Sequence, residues 1–593
     1  MTVDPIKLEI IRGQLRSIIL EMEALVERTA MSPMVKEKKD YFVGIYDVKG
    51  RIADAYISLS GPRMVDPILA EYPLETMSPG DVFWYNDPHL SEGAIQHTGD
   101  MCFCAPVFHD DHVVAFAVSF GHFWDIGGSV SGSLSPMSTE IFHEGTLVPP
   151  IRIMSGGTLN HEAYRVILRN SRFPALLEGD TRALMAACRL AEGRIQEMFG
   201  LYSEAIVVEA FETIMKQSAT IGRKLLRDLV PEGEYKFVDY VDRDPVDGEP
   251  RRIELRIRRD HDHITADLTH SGPQAKGPIN FITSPDALNL MFGRYLTSIE
   301  PSFQLNEGSC TLLDEVRVAP GTITYPNFPA PVGLRSHTAI RIMGCIMGVL
   351  GQSGDQSAPA GSPVYVIYNL RTWDIKANRF LYFSEGVGSG QGGRSFADGL
   401  DAIYFRDQKN YPIEFSEQEF PLRVERYAIR PDSGGPGLNR GGCGVIRDIR
   451  MLTDCTLSTR MDNVRFPCFG ANGGLAGRVG AFTLNPGTPT EQKIPATAEN
   501  VSVKTGDLLR VETGGGGGWG DPHQRPVDDV WSDLCNGFVT LEGAHADYGV
   551  VLTAAFELDT KATAVLRARR PKRTVVFDRG PVDEEWLREI ETG

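Results

Sequence analysis

Apolar residues recur at helical spacing from Pro5 to about Met31 (Ile6, Ile10, Ile11, Leu15, Ile18, Ile19, Met22, Leu25, Val26), which predicts an amphipathic helix that needs a partner surface. From Tyr41 to Pro150 the period shortens to that of strands. Short apolar runs such as Phe42-Val43-Gly44-Ile45-Tyr46 and Val82-Phe83-Trp84-Tyr85 alternate there with Gly, Pro and Asn-Asp turns. Helical spacing returns between Asp180 and Leu229 (Leu184, Leu190, Ile195, Met198, Ile206, Phe211, Ile214), as two helices or one long broken helix. Strand patterns resume from Tyr235 to Leu268, and beyond Arg335 glycine becomes frequent. The pattern predicts a multidomain α+β protein: an N-terminal helix with mixed strands over 1–175, a helical segment followed by a β region over 176–335, and a β-rich part with glycine turns over 336–593.

Within the first region, the apolar stretch Met101 to Phe108 and the run Val113 to Phe120 flank His109-Asp110-Asp111-His112, the pattern of two strands and a short hairpin loop. Pairing Phe108 with Val113 sets Gly99 across from His122. His97 then shares the face of His122, roughly 5 to 8 Å away, and Asp100 lies close by. Two imidazoles and a carboxylate with an open position suit Zn, Mn or Fe(II) and permit activation of a water. Histidines beside apolar strands are more often hydrogen-bonded structural residues, so both readings stand at this point. The clustering favours chemistry: five of the 13 histidines fall between His89 and His122, with Asp87 and Asp125 nearby. His109 and His112 belong to the hairpin turn, where polarity is expected anyway.

Composition narrows the class. A chain of 593 residues, 42% hydrophobic and 23% charged, has ample core for several domains. A net charge of −18 and no basic stripe argue against nucleic acid or an anionic membrane as partner. Nine cysteines without framework spacing fit a reducing compartment, and Cys102-Phe103-Cys104 points two thiols to one side of a strand, where they read as core. The N-terminus has no basic region followed by an apolar block, and no stretch is apolar for long enough to span a membrane, so a cytoplasmic location is expected.

The glycine runs Gly386 to Gly393 and Gly514 to Gly518 invite a phosphate-cradle reading, but neither carries the Lys-Ser/Thr that completes a P-loop. Close backbone packing is the better account. Cys443, in Arg440-Gly441-Gly442-Cys443-Gly444, has no histidine nearby in sequence to activate it.

Further segments carry a resemblance to a known family: Asp40-Tyr41-Phe42 with Gly44-Ile45-Tyr46-Asp47, Pro79-Gly80-Asp81-Val82-Phe83 with Asn86-Asp87-Pro88, His97-Thr98-Gly99-Asp100, and His122-Phe123-Trp124-Asp125-Ile126-Gly127-Gly128. Thr139-Glu140-Ile141-Phe142, Pro421 to Tyr427, Arg430 to Gly435, Asn439 to Gly442 and Gly516 to Pro522 follow in order. Together these segments resemble the B-type subunit of the hydantoinase and oxoprolinase superfamily, which includes N-methylhydantoinase, caprolactamase, oxoprolinase and the acetone and acetophenone carboxylases.

The resemblance implies a hetero-oligomer in which a larger A-type partner, with an actin-like ATP-binding fold, binds ATP and Mg and phosphorylates a carbonyl oxygen of a small-molecule substrate. This chain would complete the reaction with a divalent metal (Zn or Mn, or Fe). The family's His-x-x-Asp and downstream His map onto His97, Asp100 and His122 as ligands. Asp40 matches a position of the same site, as a further ligand or base, and Asp125 is a second candidate base. Hydrolysis of a cyclic amide, a hydantoin or lactam, is the expected reaction, with ATP-dependent ketone carboxylation as the alternative. The chain departs from many relatives at Phe123, where a second His is common, and at Ser60-Gly61-Pro62.

Overall fold

The computed structural model describes residues 3–56, 61–354, 357–376, 378–404 and 408–581; Ser60 lies outside them. Two compact units result. The first comprises Met1–Glu234 with Ile257–Arg335, the second Tyr235–Arg256 with Ser336–Gly593.

The first unit is built on a seven-stranded antiparallel sheet. Its strands are β1 (Tyr41–Asp47), β2 (Ile52–Ala55), β3 (Val82–Tyr85), β4 (Asp100–His109), β5 (His112–His122), β6 (Ile151–Ser155) and β7 (Thr158–Leu159), in the order β2-β1-β5-β4-β3-β6-β7. Helix α1 (Pro5–Thr29) starts where the Asp4 carboxylate accepts from the Ile6 and Lys7 amides and Pro5 supplies a preset φ. It packs with α2 (Pro174–Leu201), and α2 in turn covers β4 and β5. The helical stretch expected near 180–229 is two helices, α2 and α3 (Glu204–Leu229), broken at Tyr202-Ser203.

Strand periodicity sorts the sheet's side chains cleanly. Met101, Phe103, Ala105 and Val107 of β4 join the core beneath α1 and α2, with Ala115 and Ala117 of β5 and Val43 and Ile45 of β1. Cys102 and Cys104 point the other way, into a second core with Phe42, Tyr46, Phe116, Val118, Phe120 and Leu290. Asp100 and His122 continue this second face to the end of the strands.

The β4-β5 hairpin differs from simple pairing in one respect. Phe108 faces Val113, but Val107 faces Ala115, so Val114 is an extra residue in β5. This bulge shifts the register by one, and Asp100 rather than Gly99 lies opposite His122. The reversal itself is the pair Asp110-Asp111, with Asp110 in left-handed backbone at φ 52°.

In the second unit, a four-stranded sheet (Arg379–Val387, Val366–Asp374, Cys455–Arg460, Ala498–Val503) and a five-stranded sheet (Leu422–Ile429, Val445–Met451, Leu508–Glu512, Ala481–Leu484, Gln492–Ile494) share one core that includes Tyr368, Leu370, Phe383, Ile449, Leu457, Leu509 and Val511. The segment Tyr235–Arg256 is held in this unit by buried ion pairs. Arg341 donates to Asp462 at 2.8 Å and to Asp242 at 3.0 Å, and Asp242 also accepts from the Phe466 amide.

The glycine runs pack backbone against backbone. The amides of Gly515, Gly516, Gly517 and Gly518 donate to carbonyls of Arg478, Gly442, Gly361 and Leu475, four different segments. A Cβ on Gly516 would fall 2.1 Å from Gln391 backbone atoms, and one on Gly390 would fall 1.7 Å from the Gly442 carbonyl oxygen. Amides already committed to carbonyls are not available to cradle a phosphate. Cys443 is buried, with Arg440 Nη1 at 3.1 Å, and burial pushes its thiol up, which keeps it protonated and unreactive at neutral pH.

Candidate metal centre

The His97-to-Asp100 spacing is explained by a turn. The Asp100 amide donates to the His97 carbonyl at 3.1 Å, closing a four-residue reversal that brings the first and fourth residues together. The turn is pinned from outside by Thr98, whose hydroxyl donates to the Glu144 carbonyl at 2.8 Å. Asn86 holds it too: its side-chain amide donates to the carbonyls of Thr98 and Thr146, and its side-chain oxygen accepts from the Val148 amide.

The end of β5 supplies the third residue. The Phe123 amide donates to the Gly99 carbonyl at 2.9 Å, and the His122 amide donates to the Asp40 carbonyl at 3.0 Å. Asp100 and His122 therefore face each other across β4 and β5, and Asp40, the residue before β1, continues the row. Facing residues in such a row share a side of the sheet, with Cβ atoms about 5 Å apart.

The three expected ligands converge. His97 Nε2 lies 2.9 Å from Asp100 Oδ1, His122 Nδ1 lies 3.2 Å from the same oxygen, and the two nitrogens are 3.1 Å apart. All three residues are buried, and the imidazoles stack with centroids 4.7 Å apart. Among the described residues this is the group of His, Cys, Asp and Glu side chains whose atoms lie close enough together to hold a cation. Two nitrogens and an oxygen suit Zn, Mn or Fe(II). Ligands about 2.1 Å from a tetrahedral ion stand about 3.4 Å from one another, so the triangle would open only slightly around one.

Protonation fits as well. Burial, reinforced by the Arg335 charge, lowers His97 to about 3, so its imidazole is neutral at neutral pH. Burial pushes the Asp100 carboxyl up, but His97, His122 and Arg335 outweigh it and hold the group below the ordinary carboxylate range. Neutral imidazole and ionised carboxylate are the forms a cation requires. Gly99 completes the cradle: a Cβ there would meet Cε1 of His97 and Cε1 of His122, each at 2.8 Å.

Asp125 sits elsewhere in the arrangement. Its Oδ1 accepts from the amides of Gly127 and Arg172, and its Oδ2 from the Gly132 amide and from Arg172 Nη1 at 2.9 Å. The Ser171 hydroxyl adds a longer contact to Oδ1 at 3.5 Å, so five donors engage its two oxygens and the acid closes the loop 125–133 and ties it to Ser171 and Arg172. His89 is also outside the cluster, with Nε2 2.8 Å from the Ala330 carbonyl, while His109 packs at a tilt against Phe199 and His112 pairs with Glu204 at the surface.

One residue at the site escaped the sequence reading. Arg335 Nη2 lies 3.4 Å from Asp100 Oδ2. No spacing or composition signal links positions 235 residues apart, and only the fold brings them together.

Comparison with known proteins agrees with this architecture. The family model for hydantoinase B/oxoprolinase matches residues 4–522. A protein of Pseudomonas sp. (strain NS671), provisionally named as the B-type subunit of a D-/L-hydantoinase, is 31% identical over 95% of this chain and 98% of its own length. The beta chain of caprolactamase from Pseudomonas jessenii is 28% identical over 96% of this chain and 99% of its own. The crystal structure of the ATP-dependent caprolactamase from Pseudomonas jessenii superimposes with a TM-score of 0.83 at 26% identity, covering 96% of this chain and 100% of that one. The nucleotide-free structure of acetone carboxylase shares the fold, with a TM-score of 0.82 at 17% identity, over 100% of this chain and 84% of that one. No helix among the described residues is long and apolar enough to cross a membrane. With the family model spanning most of the chain, this protein belongs to the hydantoinase B/oxoprolinase family.

Proposed function

We propose that this chain is the B-type subunit of an ATP-dependent enzyme that opens a cyclic amide, a hydantoin or lactam, after an A-type partner has phosphorylated the ring carbonyl. The observation that carries the reading is the buried convergence of His97, Asp100 and His122, with His97 neutral and Asp100 ionised, in a chain whose relatives are named for hydantoin and caprolactam. A divalent ion held there (Zn or Mn, or Fe) supplies Lewis acidity and lowers the pKa of water to about 7. His97 Nε2, His122 Nδ1 and Asp100 Oδ1 are the donors. Asp40, half-buried and paired through its backbone carbonyl with the His122 amide, is the residue we assign to accept a proton from the attacking water. Asp125 acts through the loop it closes rather than on the substrate. Amide bonds in small rings resist water. Phosphorylation of the carbonyl oxygen makes the ring carbon electrophilic, water adds there, and the C–N bond breaks with the ring nitrogen leaving as the protonated amine. A second water releases phosphate from the resulting acyl phosphate to give the acid. The phosphorylation belongs to the partner, which binds ATP and Mg, because the glycine runs of this chain are spent on backbone packing.

The test is reconstitution. The purified chain alone is expected to hydrolyse no ATP, and the chain with its A-type partner, ATP and Mg is expected to release ADP in step with ring-opened acid. Substrate-dependent ATP hydrolysis by the isolated chain, at the rate of the complex, would overturn the division of labour. Incorporation of bicarbonate into a ketone, with no ring opening, would replace hydrolysis by the carboxylase reading.

A further inference from the structure

Arg335 is a charged residue at the centre whose chemistry excludes it from holding a cation. A guanidinium carries five N–H donors and no acceptor, and it stays charged at any working pH. Beside a metal ligand such a group is repulsive toward the ion, so its presence needs a reason. The contact to Asp100 uses only Nη2, at 3.4 Å, which is long for a charge-assisted hydrogen bond. Nε is buried without a hydrogen-bond partner among the described residues. Arg335 thus retains most of its donor capacity while its side chain is only 20% exposed.

The segment that presents Arg335 is held with unusual care. The buried Glu144 carboxylate accepts from the Gly333 amide at 2.7 Å, and a Cβ on Gly333 would come within 3.0 Å of that oxygen. The buried Asn280 side chain donates to the Pro331 carbonyl at 3.0 Å, and the Leu334 amide donates to the Pro278 carbonyl at 2.8 Å. His89 reaches the Ala330 carbonyl. Glu144 serves both sides of the site, since its own carbonyl also accepts from Thr98 in the His97–Asp100 turn. A long arginine whose backbone is fixed at several points loses little further freedom when it grips a ligand.

Charge counting then selects the ligand. A dication bound by two imidazoles, which ligate only in the neutral form, and by the Asp100 carboxylate would keep one positive charge, and Arg335 adds a second next to it. Even with Asp40 ionised the centre stays cationic, in a protein of net charge −18. An oxyanion neutralises that excess, and the fork of Nε and the Nη groups matches two oxygens of a phosphoryl group. We propose that Arg335 is the oxyanion-recognising residue of this site and grips the phosphoryl group of the activated substrate, holding the reacting carbon beside His97, Asp100 and His122. This rests on the hydrolase reading above, in which the substrate arrives phosphorylated.

The test uses the full chain loaded with Zn, with inorganic phosphate as probe and acetate as the carboxylate comparison, both titrated by calorimetry. Arg335→Met is expected to weaken phosphate binding by about 10- to 100-fold and Arg335→Lys, which keeps the charge but loses the fork, by about 10-fold, at unchanged Zn content and circular dichroism. Equal phosphate affinity in wild type and Arg335→Met would overturn the proposal. So would loss of Zn from both variants, which would make Arg335 part of the ion's own surroundings, or acetate binding as tightly as phosphate with the same dependence on Arg335. Failure of the wild type itself to take up Zn, Mn or Fe(II) refutes the hydrolase reading instead, so the two failures are distinct.

Discussion

Gly99→Ala tests the cradle without removing any ligand. The glycine has no left-handed φ, so the backbone accepts alanine, and the consequence is steric. The new Cβ would stand 2.8 Å from Cε1 of His97 and 2.8 Å from Cε1 of His122, and each ring must retreat by about 0.6 Å to reach ordinary contact at 3.4 Å. Neither has space to do so freely, because His97 is 1% and His122 5% exposed. Spreading two donors of a triangle whose edges are 2.9 to 3.2 Å misaligns lone pairs toward the ion. Outer-sphere disturbances of this size typically cost about 10- to 100-fold in metal affinity, or roughly 1.4 to 2.8 kcal/mol, and overpacking costs the fold about 1 to 3 kcal/mol. Competition of Zn against a chelator, followed in wild type, Gly99→Ala and Gly13→Ala, measures the effect. Gly13 is the control, since a Cβ there meets nothing within 4 Å. Wild-type Zn affinity in Gly99→Ala, with the fold intact by circular dichroism, would show that the three side chains do not act as a ligand set.

Elemental analysis of His97→Ala, Asp100→Ala and His122→Ala is expected to show metal lost from each, against about one ion per wild-type chain; full occupancy in all three removes the site. Asp125→Asn is expected to lower thermal stability by about 2 to 4 kcal/mol, because Arg172 and three backbone amides lose an ionised acceptor, and to expose the 125–133 loop to protease. An unchanged melting temperature with lost turnover would instead make Asp125 a base. Burial, with Asp286, Asp66 and Asp47 adding to it, raises Glu307 from the ordinary 4.5 to about 7, so the neutral acid is the form favoured by the folded chain. Its stabilisation is full below about pH 4.5 and is lost as the pH rises through about 7. Glu307→Gln keeps an acceptor for the Ile52 amide and should flatten that fall, gaining about 1 to 2 kcal/mol at pH 8 once the residue's partial exposure is discounted; parallel pH profiles of thermal midpoint in both proteins would disprove it.

What was legible in the sequence was what local pattern encodes. The 3.6-residue period of α1 and the alternation of β4 and β5 are each settled within one element, and the helices and strands appear where those periods run. The bulge at Val114 was not legible, because a valine between Val113 and Ala115 carries no mark of being an extra residue. Its effect falls many residues away, where it sets Asp100 opposite His122. The reading of Asp125 met a different limit. Residue type alone makes Asp125 a candidate base, while the left-handed φ values of Gly127 and Gly128, 93° and 79°, let the chain wrap around the carboxylate and aim amides at it.

The parts of the centre divide along the same line. The His97–Asp100 turn and the end of β5 are local, and their residue types raise metal chemistry beside the alternative of hydrogen-bonded structural histidines. Asn86, Glu144, Asn280 and Arg335 do not, since a buried amide or carboxylate acting on distant backbone looks in sequence like any polar loop residue. Yet these residues decide what the ligands can do. Glu144 joins Thr98 on one side to Gly333 on the other, so the turn that carries His97 and Asp100 and the segment that carries Arg335 are referenced to a single buried residue. A ligand set held by a turn alone would move with that turn. One tied through Glu144 keeps its distance to the guanidinium fixed, which a site needs if one substrate is to be held at two points, by its phosphoryl group and by its reacting carbon.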